Sequence, residues 1–221
     1  MHKIQSDTLK LGVLVSGGGT NLQAIIDAIA RGSLHATVAV VISNNANAFA
    51  LERARNNNIP AVCIRKKNFP TIDDYEDNLI NTLRDYGCGL IVMAGFLVVP
   101  GEKFVRAFNN RIMNVHAALI PSFCGKGYYG LRVHEAVLAK GCKVTGATVH
   151  FVNADIDGGP IIVQKAVEVR DGDTPETLQK RVMVEAEHVI LPQAIQLFAE
   201  GRLTIENNIV RVAERLSDLS P

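Results

Sequence analysis

Asn114-Val115-His116 ends a hydrophobic, strand-like run, and Asp157-Gly158-Gly159-Pro160 follows across a second such run. Alternate residues of a strand point to one face, so Asn114 and His116 aim an amide and an imidazole into the same space. The carboxylate of Asp157, in a glycine-rich turn, can reach that space from a neighbouring strand. An amide, an imidazole and a carboxylate without metal-ligand spacing suit a tetrahedral transition state: a donor for the oxyanion and partners to move a proton. Each residue alone reads more readily as a polar strand end or an ordinary turn. The three together point to a catalytic site.

Ser16-Gly17-Gly18-Gly19-Thr20-Asn21 lies between the first strand-like run and the first helical one. Glycines there let the backbone approach a ligand, and the free N–H groups of a helix start attract an anion. Thr20 and Asn21 add side-chain hydrogen bonds. The competing reading is a tight turn with Thr20 or Asn21 as N-cap. Two familiar phosphate motifs are excluded. A dinucleotide fingerprint needs a third glycine where Leu22 stands, and the second strand ends Ile42-Ser43-Asn44-Asn45 with no acidic residue for a ribose. No Gly-Lys-Ser/Thr follows, so this is not a Walker loop. A cradle for one phosphate monoester remains.

These residues need a scaffold, and the pattern around them supplies one. Five short apolar runs (Leu11 to Val15, Val38 to Ile42, Ala61 to Ile64, Leu90 to Ala94, Arg111 to Val115) alternate with helical stretches at Leu22 to Ala30, Phe49 to Asn57, Ile72 to Tyr86 and Glu102 to Phe108. Uniformly apolar strands alternating with amphipathic helices predict an α/β fold, a mostly parallel, Rossmann-like sheet with helices on both faces. After residue 115 the order changes. A long loop, Ala117 to Leu131, leads to a helix over Val133 to Ala139, then strands over Val144 to Val152 and Pro160 to Val169 joined by the Asp157 turn. Thr174 as N-cap, Pro175 and Glu176 predict a last helix running to Phe198 with a bend at Pro192. The C-terminal part thus gains an antiparallel strand and a long helix. Leu203 to Leu216 reads as a tail without assigned structure.

Composition narrows the functions. At 221 residues with 48% apolar residues, the chain has enough material for one well-packed domain. Its 23 basic and 22 acidic residues give a net charge of +1, which leaves no footprint for a long polyanion and argues against nucleic acid as the main partner. Met1 to Lys10 has no signal-peptide core, and no apolar run approaches membrane-spanning length. Cys63, Cys88, Cys124 and Cys142 lie far apart without a C-x-x-C pair, which reads as free thiols in a cytoplasmic protein.

Together, Ser16-Gly-Gly-Gly-Thr-Asn21, Met93-Ala-Gly-Phe96, Asn114-Val-His116, Ile120-Pro-Ser-Phe123, Gly146-Ala-Thr-Val-His150 and Asp157-Gly-Gly-Pro160 resemble the phosphoribosylglycinamide formyltransferases, over Leu11 to Phe198. The resemblance implies transfer of a formyl group from 10-formyltetrahydrofolate, as co-substrate, to the glycyl amine of glycinamide ribonucleotide in purine synthesis, with no metal. It implies a single domain over 1–221, with a phosphate-binding half at about 10–110 and a catalytic and folate half at about 111–200, acting as monomer or homodimer. Gly17, Gly18, Gly19, Thr20 and Asn21 would hold the 5′-phosphate, and Glu187 would lie near the amine end of the ribonucleotide. Asn114 and His116 would stabilise the oxyanion, with Asp157 assisting proton transfer and His150 supporting Asp157. Phe96, Leu97, Val98 and Val99, with Val152, Asn153, Ala154, Asp155 and Ile156, would line the folate pocket.

Some positions depart from the family pattern. Ala117 stands where proline commonly follows the histidine, and Val98 and Ile72 stand where relatives often have arginine. The loop Cys124 to Gly130 is longer than in many members. Lys126 reads as a solvated loop lysine, and His134, at a helix start, as structural. Two other readings compete. A formyltetrahydrofolate hydrolase would use water in place of the amine, though such enzymes usually have an extra N-terminal domain. A non-catalytic binding protein of the same fold would be expected to have lost Asn114, His116 or Asp157.

Overall fold

The structure, a computed structural model, describes residues 8–214. Seven strands form one sheet in the order β3-β2-β1-β4-β5-β6-β7. They are β1 (Leu9–Val15), β2 (Ala36–Ser43), β3 (Ala61–Cys63), β4 (Leu90–Met93), β5 (Ile112–His116), β6 (Val144–Phe151) and β7 (Ile161–Glu168). The first five are mutually parallel. β6 runs antiparallel to both β5 and β7, so it is the reversed strand of the sheet. The expected α/β architecture is the one observed.

Period-two alternation within the strands divides the core between the two faces of the sheet. Leu11, Val13 and Val15 of β1 pack on one side with Leu22 and Ile25 of α1 (Thr20–Ala30), Leu51 of α2 (Phe49–Asn56), and Ile190, Leu191 and Ile195 near the C-terminus. Leu14 of the same strand turns to the other side. There it joins Tyr75, Leu79 and Leu83 of α3 (Ile72–Asp85) and Phe104 of α4 (Glu102–Ala107). α3 opens on a capping box between Thr71 and Asp74, which satisfies two donors that a helix start would leave free. Ile72, its first residue, is exposed.

The chain winds outward from β1 through β2 to β3, then returns to β4 and proceeds the other way. At such a reversal the loops after the two central strands diverge and leave a crevice at the carboxyl edge of the sheet. The glycine loop follows β1 there, and the segment after Met93 follows β4. That second segment is fixed from below by Glu76, 3% exposed, whose carboxylate accepts from the N–H of Gly101 at 2.5 Å and of Phe104 at 3.3 Å.

Beyond β5, α5 (Leu131–Ala139) starts two residues before the expected Val133. The final helix departs from expectation more deeply. It is α6 (Pro175–Val182), a π-helical segment at Met183–Glu187, and α7 (His188–Ala199). The interruption falls at 183–187, and Pro192 lies inside α7. The tail beyond Leu203 is a hairpin of β8 (Leu203–Glu206) and β9 (Ile209–Val212), while residues 215–216 of that stretch lie outside the described residues.

Candidate active site

The crevice is a cavity of about 750 Å³, a size suited to organic ligands. All the residues singled out in the sequence border it: Gly17 to Asn21, Phe96 to Val99, Asn114, His116, His150, Val152 to Asp157 and Glu187. The fold therefore brings together segments from the ends of β1, β4 and β5, the β6–β7 turn and the π segment.

β5 and β6 build the centre. Asn114 pairs directly with His150 across the antiparallel ladder, and His116 pairs with Thr148. His116 is 7% exposed, with its Nε2–H donating to the carbonyl of Phe123 at 2.8 Å. Its Nδ1 faces the Asp157 carboxylate at 3.9 Å, in electrostatic contact but beyond hydrogen-bond distance. Asp157 sits at φ 55°, a left-handed conformation that aspartate tolerates better than most residues. The turn also needs Gly159, since a Cβ there would lie 1.8 Å from the carbonyl oxygen of Phe151.

His150, 2% exposed, donates from Nδ1 to the Phe151 carbonyl at 2.8 Å. Its Nε2 is left to accept from the Asn114 amide at 3.2 Å. The Asp157 oxygen is 3.7 Å from that same nitrogen, beyond hydrogen-bond distance. His150 therefore holds Asn114 first and touches Asp157 electrostatically. Burial opposes ionisation of Asp157, but the His150 ring, the Gly125 N–H donating at 2.9 Å and the facing His116 outweigh it. Its carboxyl titrates below the usual aspartate range, so a carboxylate lies beside two imidazoles at neutral pH.

The loop after β5 is fastened to this centre. Thr148, fully buried, accepts from the Ile120 N–H at 3.1 Å and donates to the Ala118 carbonyl at 2.7 Å. Phe123 and Gly125 then meet His116 and Asp157 as described. Sequence reading left this loop without a role, because its contacts are made by backbone groups that no residue type announces.

At the glycine loop, α1 begins after Gly19 (φ 71°, left-handed) with no side-chain cap and no acidic residue in its first turn. Its first N–H groups are thus left for a ligand, the arrangement that favours an anion. Gly19 has a structural need as well, since a Cβ there would meet Ala50 Cβ at 2.5 Å. Gly17 and Gly18 have none: a Cβ at either would meet no atom within 4 Å. Their carbonyls turn toward α2, where the Gly17 oxygen accepts from the Ala50 N–H at 3.1 Å and the Gly18 oxygen from Arg53 Nε at 2.8 Å. The Thr20 hydroxyl donates to Met183 Sδ at 3.1 Å, and the Asn21 amide donates to Glu187 at 2.6 Å. Neither caps the helix. The π segment presents both partners, and Met183 was missed because nothing in a helical period marks such a break. Burial raises the Glu187 carboxyl above the ordinary range, with the Asn21 bond pulling the other way.

The β4 segment and the β6–β7 turn form the more apolar wall. Leu97 (63% exposed) and Val99 (59%) stand at the rim opposite Ile156, while Phe96 is buried beneath. Ser16 Oγ accepts from the Leu97 N–H at 2.9 Å and so ties this wall to the base of the glycine loop. Among the described residues, no cluster of His, Cys, Asp and Glu could hold a metal ion, and no helix is long and apolar enough to cross a membrane.

Residues 9–195 match the family model described as formyl transferase. The chain belongs to the formyl transferase family, and the relatives it is similar to include phosphoribosylglycinamide formyltransferases. The chloroplastic one from Arabidopsis thaliana is 40% identical over 195 residues, 88% of this chain. This chain spans only 66% of that relative's length. The one from Haemophilus influenzae is 38% identical over 200 residues, covering 90% of this chain and 92% of its own. Among solved structures, glycinamide ribonucleotide transformylase 1 from Symbiobacterium toebii superposes with a TM-score of 0.90 at 43% identity, covering 97% and 99% of the two chains.

Proposed function

We propose that the protein transfers the formyl group of 10-formyltetrahydrofolate to the glycyl amine of glycinamide ribonucleotide. The observation that carries this reading is a single cavity holding both an uncapped, acid-free helix start and the Asn114, His116 and Asp157 centre. The helix start, with Gly17, Gly18 and Gly19, takes the 5′-phosphate, and Glu187, held by the Asn21 amide, faces the ribonucleotide toward its amine end. Phe96 to Val99 and Val152 to Ile156 take the folate, with Val98 removing a cation that relatives often place near its tail.

The amine attacks the formyl carbon, forming the new C–N bond and pushing the carbonyl electrons onto oxygen. Asn114 donates to that oxyanion, and His116, whose Nε2–H is held by the Phe123 carbonyl, does so through a second proton on Nδ1. The amine then loses a proton with the help of the Asp157 carboxylate. Collapse of the intermediate re-forms the carbonyl and breaks the bond to N10, which leaves with a proton as tetrahydrofolate. His150 keeps the Asn114 amide oriented. Residues 10–110 supply the phosphate loop and 111–200 the transfer centre of one domain. The enzyme is cytoplasmic, in keeping with its four unpaired cysteines. It works without metal or nucleic acid, as a monomer or homodimer.

Purified protein given both substrates should form formylglycinamide ribonucleotide and tetrahydrofolate in equal amounts. Release of formate that does not depend on the ribonucleotide would favour the hydrolase reading. Binding without turnover would favour a non-catalytic one.

A further inference from the structure

His134 stands outside every role assigned so far. It lies near the start of α5, is 0% exposed, and borders the cavity that holds His116. Neither its Nδ1 nor its Nε2 has a hydrogen-bond partner among the described residues. A buried imidazole with both nitrogens unpaired is a standing cost to the folded state. Val133 and Val137 on the same helix are fully buried apolar residues, and an apolar residue in place of His134 would orphan no polar atom.

The surroundings indicate what kind of group completes the ring. Burial, reinforced by the nearby His116, lowers the His134 pKa to about 4, so the imidazole is neutral wherever the protein works. A neutral imidazole offers one donor and one acceptor. Gly125, Gly127 and Gly130 border the same cavity, and a Cβ on any of them would meet no atom within 4 Å. α5 itself begins at Gly130 with no side-chain cap. The same cavity is lined by Asn114, His116 and Asp157.

We propose that His134 is a further binding residue of the transfer site, its ring exchanging hydrogen bonds with a neutral polar group that enters the cavity in the loaded enzyme. The inference rests on the formyl-transfer reading above. Two sources share the required chemistry: the formamide of the folate and the uncharged amine end of the ribonucleotide.

The test pairs kinetics of His134→Leu with 15N NMR of the His134 ring in the full-length wild-type protein. Spectra are taken with the ribonucleotide alone, with a non-transferable folate analogue alone, and with both. We expect His134→Leu to melt no lower than wild type yet to lose about tenfold or more in kcat/KM. The loss should appear in the KM of whichever substrate moves the ring signals. His134→Gln, which restores a neutral donor and acceptor, should recover part of it. Wild-type kcat and both KM values in His134→Leu, or ring signals that neither ligand moves, would overturn the proposal. If His134→Leu does not fold, the ring signals and His134→Gln decide the matter in the same way. A wild-type protein that transfers no formyl group would instead overturn the functional reading, while the ring signals would still report whether either ligand reaches His134.

Discussion

The Asn114 amide donates to His150 Nε2 across the β5–β6 ladder at 3.2 Å, and the same imidazole is pinned on its far side by the Phe151 carbonyl at 2.8 Å. One amide hydrogen is thereby fixed and the rotation of the Asn114 side chain is set, leaving the second hydrogen to point into the cavity. Preorganised donors stabilise an oxyanion because they need not reorient when charge develops. The resemblance implies that His150 supports Asp157, whereas its shorter contact is with Asn114, at 3.2 Å against 3.7 Å.

That relationship predicts the behaviour of His150→Leu. Turnover should fall by about ten- to a hundredfold, the scale of a misdirected oxyanion donor, with little change in the KM of the ribonucleotide. Steady-state kinetics with each substrate varied in turn will check it. A comparable rise in KM without loss of kcat would make His150 a binding residue.

His116→Ala and Asp157→Asn should each lower kcat by about two to four powers of ten while the protein still folds. Both side chains meet the same small space, 3.9 Å apart, so the double variant should lose much less than the product of the single losses. Multiplicative losses measured in a double-mutant cycle would show that the two act in separate steps.

Neighbouring glycines should separate ligand binding from folding. Gly18→Val places its side chain in open space, so the protein should fold normally and show a raised KM for the ribonucleotide with little effect on the folate. Gly19→Val meets Ala50 and forces a β-branched residue to φ 71°, so it should instead lower stability. Thermal melts and substrate-specific KM values will distinguish the two. Equal KM effects on both substrates in Gly18→Val would remove the phosphate from this loop.

The parts of this molecule that were legible in the sequence are those with a strong local signature. Uniformly apolar strands revealed β1 to β5, and the i, i+2 spacing put Asn114 and His116 on one face. The Thr174-Pro175 pair marked the start of α6. The π segment escaped because a single wide turn leaves helical periodicity on both sides intact. The hairpin of β8 and β9 had a readable turn, Asn207-Asn208 with φ values of 51° and 64°, but its strands are only four residues long and half exposed. Phe123 and Gly125 were invisible for another reason: they reach His116 and Asp157 through main-chain atoms. His134 was read as structural from its place at a helix start, and only its burial without partners sets it apart.

The pH dependence follows from Asp157. Burial works against its charge, but the His150 ring, the Gly125 N–H and His116 prevail and hold the carboxyl below its ordinary range. A lowered folded-state pKa contributes stability that is present above the unfolded value of about 3.9 and is lost as pH falls through the folded one. The charge on Asp157 is therefore constant from about pH 5 upward. An activity limb near neutrality cannot be its own titration. We expect kcat/KM to climb through the neutral to mildly alkaline range as the substrate amine or a site group loses a proton, then to level off or fall. In Asp157→Asn, any charge on His116 loses the carboxylate that faces it at 3.9 Å, so a limb belonging to that pair should shift or vanish. Full pH profiles of both proteins will decide the point. An unchanged profile at reduced height would assign the limb to the substrate amine and confine Asp157 to positioning.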